Sequence, residues 1–594
     1  MLAAIATATA FALAAASPAL AAPSSGGLTI SPAAGTPDAS PQTQISILGV
    51  APRLIESVSV TGSATGGHAG SLRSYSGGRG ASFVPAQRFA QSERVTAIVR
   101  IRGLAPRRFS FSIARLGPVQ PVLSIARLQP PKLDHFVSEP GLLPPKITLL
   151  KRADGLPGDI FLTPLPSPVV HPESNNAITI MPVGPGGPMI VDGRGRLVWF
   201  RQLTAPTVAG NLQVQRYQGR SVLTWWQGGV TPSAFGIGEG VIADTSYRTV
   251  ATVHAGNGYP MDIHEFRLTP AGDALFTVYS PVLVHVARTA PGTLTPLLDS
   301  IVQEVDVRTG LVVWEWHSLG HIPLQDSYAT PANSASYDAF HLNAIQPLAG
   351  GRVLLSARDT SAVYEVDRAS GRILWTLGGK ASSFRLGPGA RFYFQHDAEL
   401  GANGQVSLFD DEAGPPMYAP SSRGLILALD QRRRVATVVR QYRRPQNTSA
   451  ESEGSLQIIA GGDAFLGFGS EPYFSQFTAG GRLLFDARLP IDDGSYRTFR
   501  FSWSATPRSR PTVVARRRDA SHGSVYVSWN GATAVACWQV LAGPNTRHLT
   551  IRVTAHKTGF ETRIDTAGSS GVVVVRALSA RGRVLSVSGP SPVL

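Results

Sequence analysis

Hydrophobic and polar positions alternate in short runs along almost the whole chain, and the runs are separated by Gly, Pro and Ser clusters. Examples are Gln44-Ile45-Ser46-Ile47-Leu48, Ser57-Val58-Ser59-Val60-Thr61 and Phe109-Ser110-Phe111-Ser112-Ile113. A period of two between turn residues predicts antiparallel strands with one buried face. Residues 26–128 therefore read as a β-sandwich, and the Pro-rich stretch 129–147 as a linker. Alternation returns beyond Pro511 in Val525-Tyr526-Val527-Ser528-Trp529 and Val572-Val573-Val574-Val575. Residues 511–594 read as a second sandwich, of the fibronectin-III-like kind.

Between these flanks, residues 148–506 carry an internal repeat in which a turn residue leads into a hydrophobic strand. Four copies are Gly195-Arg196-Leu197-Val198-Trp199, Gly310-Leu311-Val312-Val313-Trp314, Gly371-Arg372-Ile373-Leu374-Trp375 and Gly481-Arg482-Leu483-Leu484-Phe485. Tyr247–Ala251 and Arg434–Val438 are weaker copies, and successive copies lie 52, 63, 61, 63 and 47 residues apart. Six units of this length, each too small to bury its own faces, predict a six-bladed β-propeller. The expected architecture is all-β: this propeller flanked by an N-terminal β-sandwich and a C-terminal fibronectin-III-like β-sandwich.

A second repeat carries chemistry. His264, His341 and His396 each open a strand that is followed by a turn and a hydrophobic strand, at Ala274, Val353 and Val406. Equivalent positions on inner strands of a propeller converge on its axis, so the three imidazoles are expected to be neighbours. Asn343, two residues after His341, is expected on the same strand face. Arg358 follows on the returning strand of that hairpin. One guanidinium, one amide and three imidazoles suit a compact tetrahedral oxyanion such as sulfate or phosphate. An imidazole also serves as a nucleophile toward sulfur or phosphorus. Two other readings stand beside this one: hydrogen-bonded core histidines, and a three-histidine metal centre. The cationic Arg358 weighs against a metal there. The closely spaced pair His317 and His321 lies outside the set.

Composition narrows the classes. The 594 residues include 61 Gly and 45 Pro, which suits strands and turns rather than long helices. A single cysteine, Cys537, excludes an intrachain disulfide framework, a zinc knuckle and an iron–sulfur cluster, and its place among strand hydrophobics reads as a buried thiol. The net charge is +15, of which the last 88 residues hold +9, from 12 Lys/Arg against 3 Asp/Glu. No nucleic-acid module accompanies that charge, so nucleic acid is not expected as a partner. An anionic cell-envelope surface in contact with the basic C-terminal unit is the partner that the charge suggests. Residues 1–22 are rich in Ala and Leu and end in Ala19-Leu20-Ala21, a small-x-small cleavage pattern, although the basic residues that usually precede such a run are missing. The expectation is a signal peptide and an exported protein, extracellular or attached to the envelope. There is no phosphate-binding loop, no nucleophile elbow and no dinucleotide loop. Asp410-Asp411-Glu412 reads as a solvated loop, with calcium binding as the alternative.

These residues carry a resemblance. Gly258-Tyr259-Pro260-Met261-Asp262-Ile263-His264-Glu265-Phe266, Trp314–His321, Phe340-His341-Leu342-Asn343-Ala344-Ile345, Leu355–Thr360, Trp375–Lys380, Phe394-Gln395-His396-Asp397-Ala398 and Gly469–Ser475 resemble the bacterial arylsulfate sulfotransferases (arylsulfotransferases, ASST). The resemblance is to an actinobacterial-type branch and spans about Ile147 to Pro507. It implies a six-bladed propeller that moves a sulfuryl group from a phenolic sulfate ester to a phenol without a nucleotide donor. It also implies that His396 is the transiently sulfated residue and that His264, His341, Asn343 and Arg358 form the sulfate clamp, with either His264 or His341 moving the acceptor's proton. Tyr259, Phe340 and Trp225 are candidates to stack on the phenol. No cofactor and no metal are expected.

Two rivals remain at this level. Asp306–Trp314 and Asp367–Trp375 look like the repeats of quinoprotein dehydrogenases, although a vicinal cysteine pair is impossible here. A non-catalytic exported propeller that binds a surface or carbohydrate ligand also fits, since fold does not dictate function.

Overall fold

A computed structural model describes residues 27–594 except 120, 123, 127–131, 167–180, 184, 287–292, 331–335, 414–416, 520 and 568–570. The expected signal segment and the start of the expected linker fall outside the described residues. Among those described, the regular structure is strand with three short 3-10 turns, so the all-β expectation holds.

Near the N-terminus, two four-stranded sheets close over one apolar cluster. One contains Ile45–Leu48 and Gly80–Pro85; the other contains Ile55–Gly62, Arg94–Ile101 and Arg107–Ser112. The alternation is literal in Arg94–Ile101, where Val95, Ala97, Val99 and Ile101 are buried. At the C-terminus, Thr512–Arg517, His522–Ser528 and Glu561–Ala567 face a sheet of Thr550–His556, Cys537–Gly543, Val572–Leu578 and Val584–Val587 around Val527, Trp538, Val540 and Val575. Cys537 is half-buried rather than buried, because it opens its strand, and its Sγ lies 3.5 Å from His556 Nδ1. The expected linker does not hang free. The Phe136 ring packs at a tilt on Phe560, 4.4 Å between centroids, and Ser138 donates through its backbone N–H to Glu561 at 2.5 Å.

Between these units, six sheets of four or five strands follow one another among the described residues. The first pairs Asp159–Leu162, Met189–Val191 and Leu197–Phe200 with the late strand Phe499–Phe501. The second spans Val208–Tyr217 to Thr249–Val253, the third Phe266–Leu268 to Val312–His317, and the fourth Leu342–Leu348 to Ile373–Gly378. The fifth runs from His396–Leu400 to Val435–Tyr442. The sixth runs from Ser455–Ile458 to Leu483–Arg488 and takes the early strand Thr148–Lys151 on its edge. Each sheet contacts the next, and the sixth contacts Phe499–Phe501 of the first, so the order closes on itself. The first and the sixth sheets are thus each completed by a strand distant in sequence.

Each of the six repeat copies falls on the last strand of a different sheet, or on its outer edge strand in the first. The turn residue opening each copy is left-handed. Gly195, Gly310, Gly371 and Gly481 have φ of 70°, 71°, 71° and 92°, and the weaker copies place Tyr247 at 61° and Arg434 at 53°. The repeat is therefore a backbone requirement, met four times by the residue with no Cβ penalty.

On the axis of the circuit lies Arg497, with no solvent exposure. Its Nη1 is 3.0 Å from Glu265 and 3.4 Å from Asp397, and its Nη2 donates to the Asn343 carbonyl at 2.6 Å. Glu265 accepts from Asn211 Nδ2 at 3.2 Å, and Asp397 accepts from the Leu456 N–H at 3.1 Å. One guanidinium with its two carboxylates thereby ties the second, third, fourth, fifth and sixth sheets together.

Arg497→Met strands two buried carboxylates and is expected to lower the unfolding free energy by about 3–5 kcal/mol; an unchanged denaturant midpoint would contradict the axial role. A Cβ at Gly310 meets nothing within 4 Å, so Gly310→Ala isolates the backbone term. It should cost about 1–2 kcal/mol in the same urea titration.

Candidate active site

The three histidines stand at one structural level. His264 lies two residues before the inner strand Phe266–Leu268, His341 one residue before Leu342–Leu348, and His396 opens His396–Leu400. The expected convergence is present: the rings of His264 and His341 are 4.6 Å apart, and Tyr496 lies 5.4 Å from His264 and 6.5 Å from His396. Arg358 is beside His341, since its backbone N–H donates to the His341 carbonyl at 2.9 Å, as hairpin partners do.

The backbone aims these side chains by irregularity rather than by strand alternation. Register breaks fall between Leu342 and Ala344 and between His396 and Glu399, and His341 and Asp397 have φ of 52°. Bulges of this kind re-aim side chains beside functional sites. They also correct the expectation for Asn343. His341 is not in the strand, so the two-residue rule does not put both side chains on one face. Asn343 instead donates from Nδ2 to the Gln395 carbonyl at 2.7 Å, steadying the residue before His396, and its Oδ1 is buried without a hydrogen-bond partner.

Every histidine of the set is held at Nδ1 by a carboxylate. Asp262 holds His264 at 2.6 Å, Asp338 holds His341 at 2.7 Å and Asp411 holds His396 at 2.9 Å. An anchored Nδ1 fixes the ring and leaves Nε2 on the opposite side. The His396 Nε2 faces the backbone N–H of Glu453 at 3.3 Å, which places the lone pair on Nε2 and the ring proton on Nδ1. Burial pushes the His396 pKa well below its usual value, and the nearby Arg358, His341 and His264 push it further in the same direction, so the imidazole is neutral. Burial also lowers His264, with Asp262 opposing. His341 differs: burial lowers it, but Asp338 more than offsets this and holds the ring above its usual value.

The carboxylates escaped the sequence reading, although Asp262-Ile263-His264 and Asp338-Ala339-Phe340-His341 carry a local signal in their spacing. Asp411 was assigned to a solvated loop, and the structure reverses this. Asp410 and Asp411 are fully buried; Asp410 accepts from Arg423 Nε at 2.9 Å, and Asp411 holds His396.

The proposed phenol-stacking residues are placed elsewhere. Trp225 packs with Trp199 in the cluster between the first and second sheets, and Phe340 is enclosed in the cluster of the third and fourth. Tyr259 packs against the cluster of the second and third sheets. The aromatics that do flank the histidines are Tyr279 and Tyr496, whose hydroxyls donate to the Leu342 and Asn343 carbonyls at 2.9 and 3.3 Å. A second aromatic group surrounds Arg358, whose guanidinium lies 4.8 Å above the Phe394 ring. Phe394 neighbours Tyr328 and Tyr418, and Tyr418 stacks on Tyr393 at 3.6 Å while remaining 40% exposed.

The site is thus a buried cluster of three imidazoles next to a guanidinium, His341 raised in basicity, His264 lowered and His396 lowered furthest. It can hold a tetrahedral anion and offer a nitrogen nucleophile to it.

No curated protein matches this sequence. Among solved structures, a protein of unknown function from Bacteroides caccae shares 13% identity over 58% of this chain and 98% of its own, with a TM-score of 0.35. An auxiliary nutrient binding protein from Bacteroides thetaiotaomicron VPI-5482 shares 10% identity over 84% of this chain and 94% of its own, with a TM-score of 0.26. At these scores neither carries an argument. The family model described as Arylsulfotransferase (ASST) matches residues 213–489, which include His396 and the four residues of the expected clamp. The segment that holds the histidine cluster belongs to the arylsulfotransferase (ASST) family.

Proposed function

We propose that this chain is an arylsulfate sulfotransferase that moves a sulfuryl group from a phenolic sulfate ester to a phenol through a sulfated His396. The supporting observation is the state of His396: a buried, neutral imidazole whose Nδ1 is held by Asp411 and whose Nε2 carries the lone pair, met by the Glu453 N–H at a long 3.3 Å, beside two further carboxylate-anchored histidines and Arg358.

In the first half-reaction His396 Nε2 attacks sulfur, the S–O bond to the aryl group breaks, and a phenolate leaves. Arg358 and cationic His341 stabilise the sulfonate oxygens, and Asn343 holds the strand that presents the nucleophile. In the second, the acceptor phenol loses its proton to neutral His264 and attacks sulfur, the N–S bond breaks, and His396 is restored. The opposite shifts separate the roles of the two flanking imidazoles: a base must be neutral, which the lowered pKa of His264 favours, and an anion clamp must be cationic, which the raised pKa of His341 favours. Tyr328, Tyr393, Phe394 and Tyr418 form the aromatic surface nearest the guanidinium, and we assign the phenol rings to it in place of Trp225, Tyr259 and Phe340.

The six-sheet circuit is read as a six-bladed propeller over residues 148–506, and the paired sheets at 26–128 and 511–594 as the flanking sandwiches. Export, with residues 1–22 as the signal, and membership of the actinobacterial-type branch belong to the same proposal. So does envelope contact through the C-terminal unit, where Arg516, Arg517 and Arg518 are exposed.

Full-length protein given 4-nitrophenyl sulfate and phenol should release nitrophenolate, and His396→Ala should abolish release. Silence with a panel of aryl sulfates would favour the non-catalytic binder. The pH profile of kcat/KM tests the charge assignment. His396 stays neutral down to well below its ordinary pKa of 6.5, so the acid limb should lie below pH 6.5. His341 loses its charge only as pH rises through a value above 6.5, so the alkaline limb should lie above it. Asp338→Asn removes the stabilising charge and should move the alkaline limb to lower pH; an unmoved limb contradicts the role of His341.

A further inference from the structure

A second group of acidic and imidazole side chains lies away from the histidine cluster, in the seam between the N-terminal unit and the third sheet. Asp38 comes from the turn before Ile45–Leu48, Asp299 from Leu294–Asp306, and Glu315 and His317 from Val312–His317. All four are buried, at 4%, 0%, 5% and 3% exposure. One donor atom from each of Asp38, Asp299 and His317 lies within 4.8 Å of the others. His317 Nδ1 is 2.7 Å from Asp299 Oδ2 and 3.2 Å from Asp38 Oδ1.

The decisive feature is Asp38. Neither of its buried carboxylate oxygens has a hydrogen-bond partner. The single Nδ1–H that His317 offers is taken by Asp299, so both oxygens of the buried Asp38 carboxyl are left without a donor beside His317 and Asp299. Leaving such a group buried is costly unless a cation meets it. The surroundings are arranged as an outer shell. His317 Nε2 is 3.0 Å from Glu315 Oε1, and Glu315 Oε2 accepts from Asn257 Nδ2 at 2.8 Å and Gln303 Nε2 at 2.7 Å. Asp299 Oδ1 accepts from Ser318 Oγ at 2.8 Å and the Leu319 N–H at 2.9 Å. A carboxylate on the far nitrogen of a histidine is the arrangement that orients ligating imidazoles.

We propose that Asp38, Asp299 and His317 bind a divalent cation, with zinc best matched to one imidazole and two carboxylates, and that the ion staples the N-terminal unit to the third sheet. On binding, the cation replaces the Nδ1 proton of His317, which passes to solvent, while Glu315 retains the Nε2–H. The seam already carries Ser40 Oγ to the Asn257 carbonyl at 2.6 Å, Gln44 N–H to Asn257 Oδ1 at 3.1 Å and Ser46 Oγ to the Val312 carbonyl at 2.6 Å. Asn257 therefore links the outer shell of the ion directly to the N-terminal unit. The other acidic–histidine grouping, Asp338, His341 and Asp359, belongs to the sulfuryl site, and Arg358 occupies its Asp359 at 2.7 Å.

The test uses the full chain and zinc alone. Protein equilibrated with zinc chloride and desalted should retain one zinc per chain by elemental analysis, and Asp38→Asn and His317→Gln should not. Asp338→Asn should retain it. Glu315→Gln, which touches only the outer shell, should raise the zinc Kd roughly 10–100-fold. A chelator should lower the melting temperature of the unaltered protein and zinc should restore it, with no response in Asp38→Asn. A different result overturns the proposal: no retained zinc, a melting temperature indifferent to chelator and zinc, and Asp38→Asn as stable as the parent. That outcome identifies Asp38 as a neutral carboxyl sharing a proton with Asp299. Zinc retained equally by Asp38→Asn also overturns it.

Discussion

The charge on Arg497 is the constraint around which the sheets are arranged. A guanidinium with no solvent contact is stable only where carboxylates surround it, and here Glu265 and Asp397 come from different sheets. Burial lowers the basicity of Arg497, but these two anions more than offset it, so the ion stays charged. The axial ions supply interactions that exist only when the sheets are assembled, so they specify the closed arrangement as well as stabilising it.

The same inner strands build the reactive cluster. His264 is followed by Glu265 and His396 by Asp397, so adjacent residues divide between the imidazole group and the axial ion pairs. His341 is followed two residues later by Asn343, whose carbonyl the guanidinium holds. The position of each imidazole is thereby tied to a buried charge one or two residues away. Burial, the anchoring carboxylates and the neighbouring cations then shift three identical side chains in different directions. Burial and the neighbouring Arg358 push His396 well below its usual value despite Asp411 at its Nδ1, while Asp338 and Asp359 hold His341 above its usual value against burial.

Much of this was legible in the sequence because it is periodic. The strand alternation gave the all-β class. The six turn–strand copies fall on six separate sheets, because each needs a left-handed residue before its last strand. The equivalent placement of His264, His341 and His396 followed from the repeat and is seen in the structure. What escaped was non-periodic. Arg497 sits outside any repeat copy, and nothing local marks it as buried. Asp411 looked like loop acid because its partner is 15 residues away in another strand. The face shared by His341 and Asn343 failed because a bulge breaks the alternation on which that inference depends. Tyr259, Phe340 and Trp225 were chosen as aromatics near the motifs, and packing claimed them.

The central claim is that His396 carries the sulfuryl group between donor and acceptor. The most direct measurement is peptide mass mapping of protein quenched after exposure to 4-nitrophenyl sulfate with no acceptor present. The account predicts one added sulfonate on the peptide containing His396, lost when phenol is supplied before the quench. Nitrophenolate release in the presence of phenol, with no sulfonate on that peptide at any quench time, would contradict it.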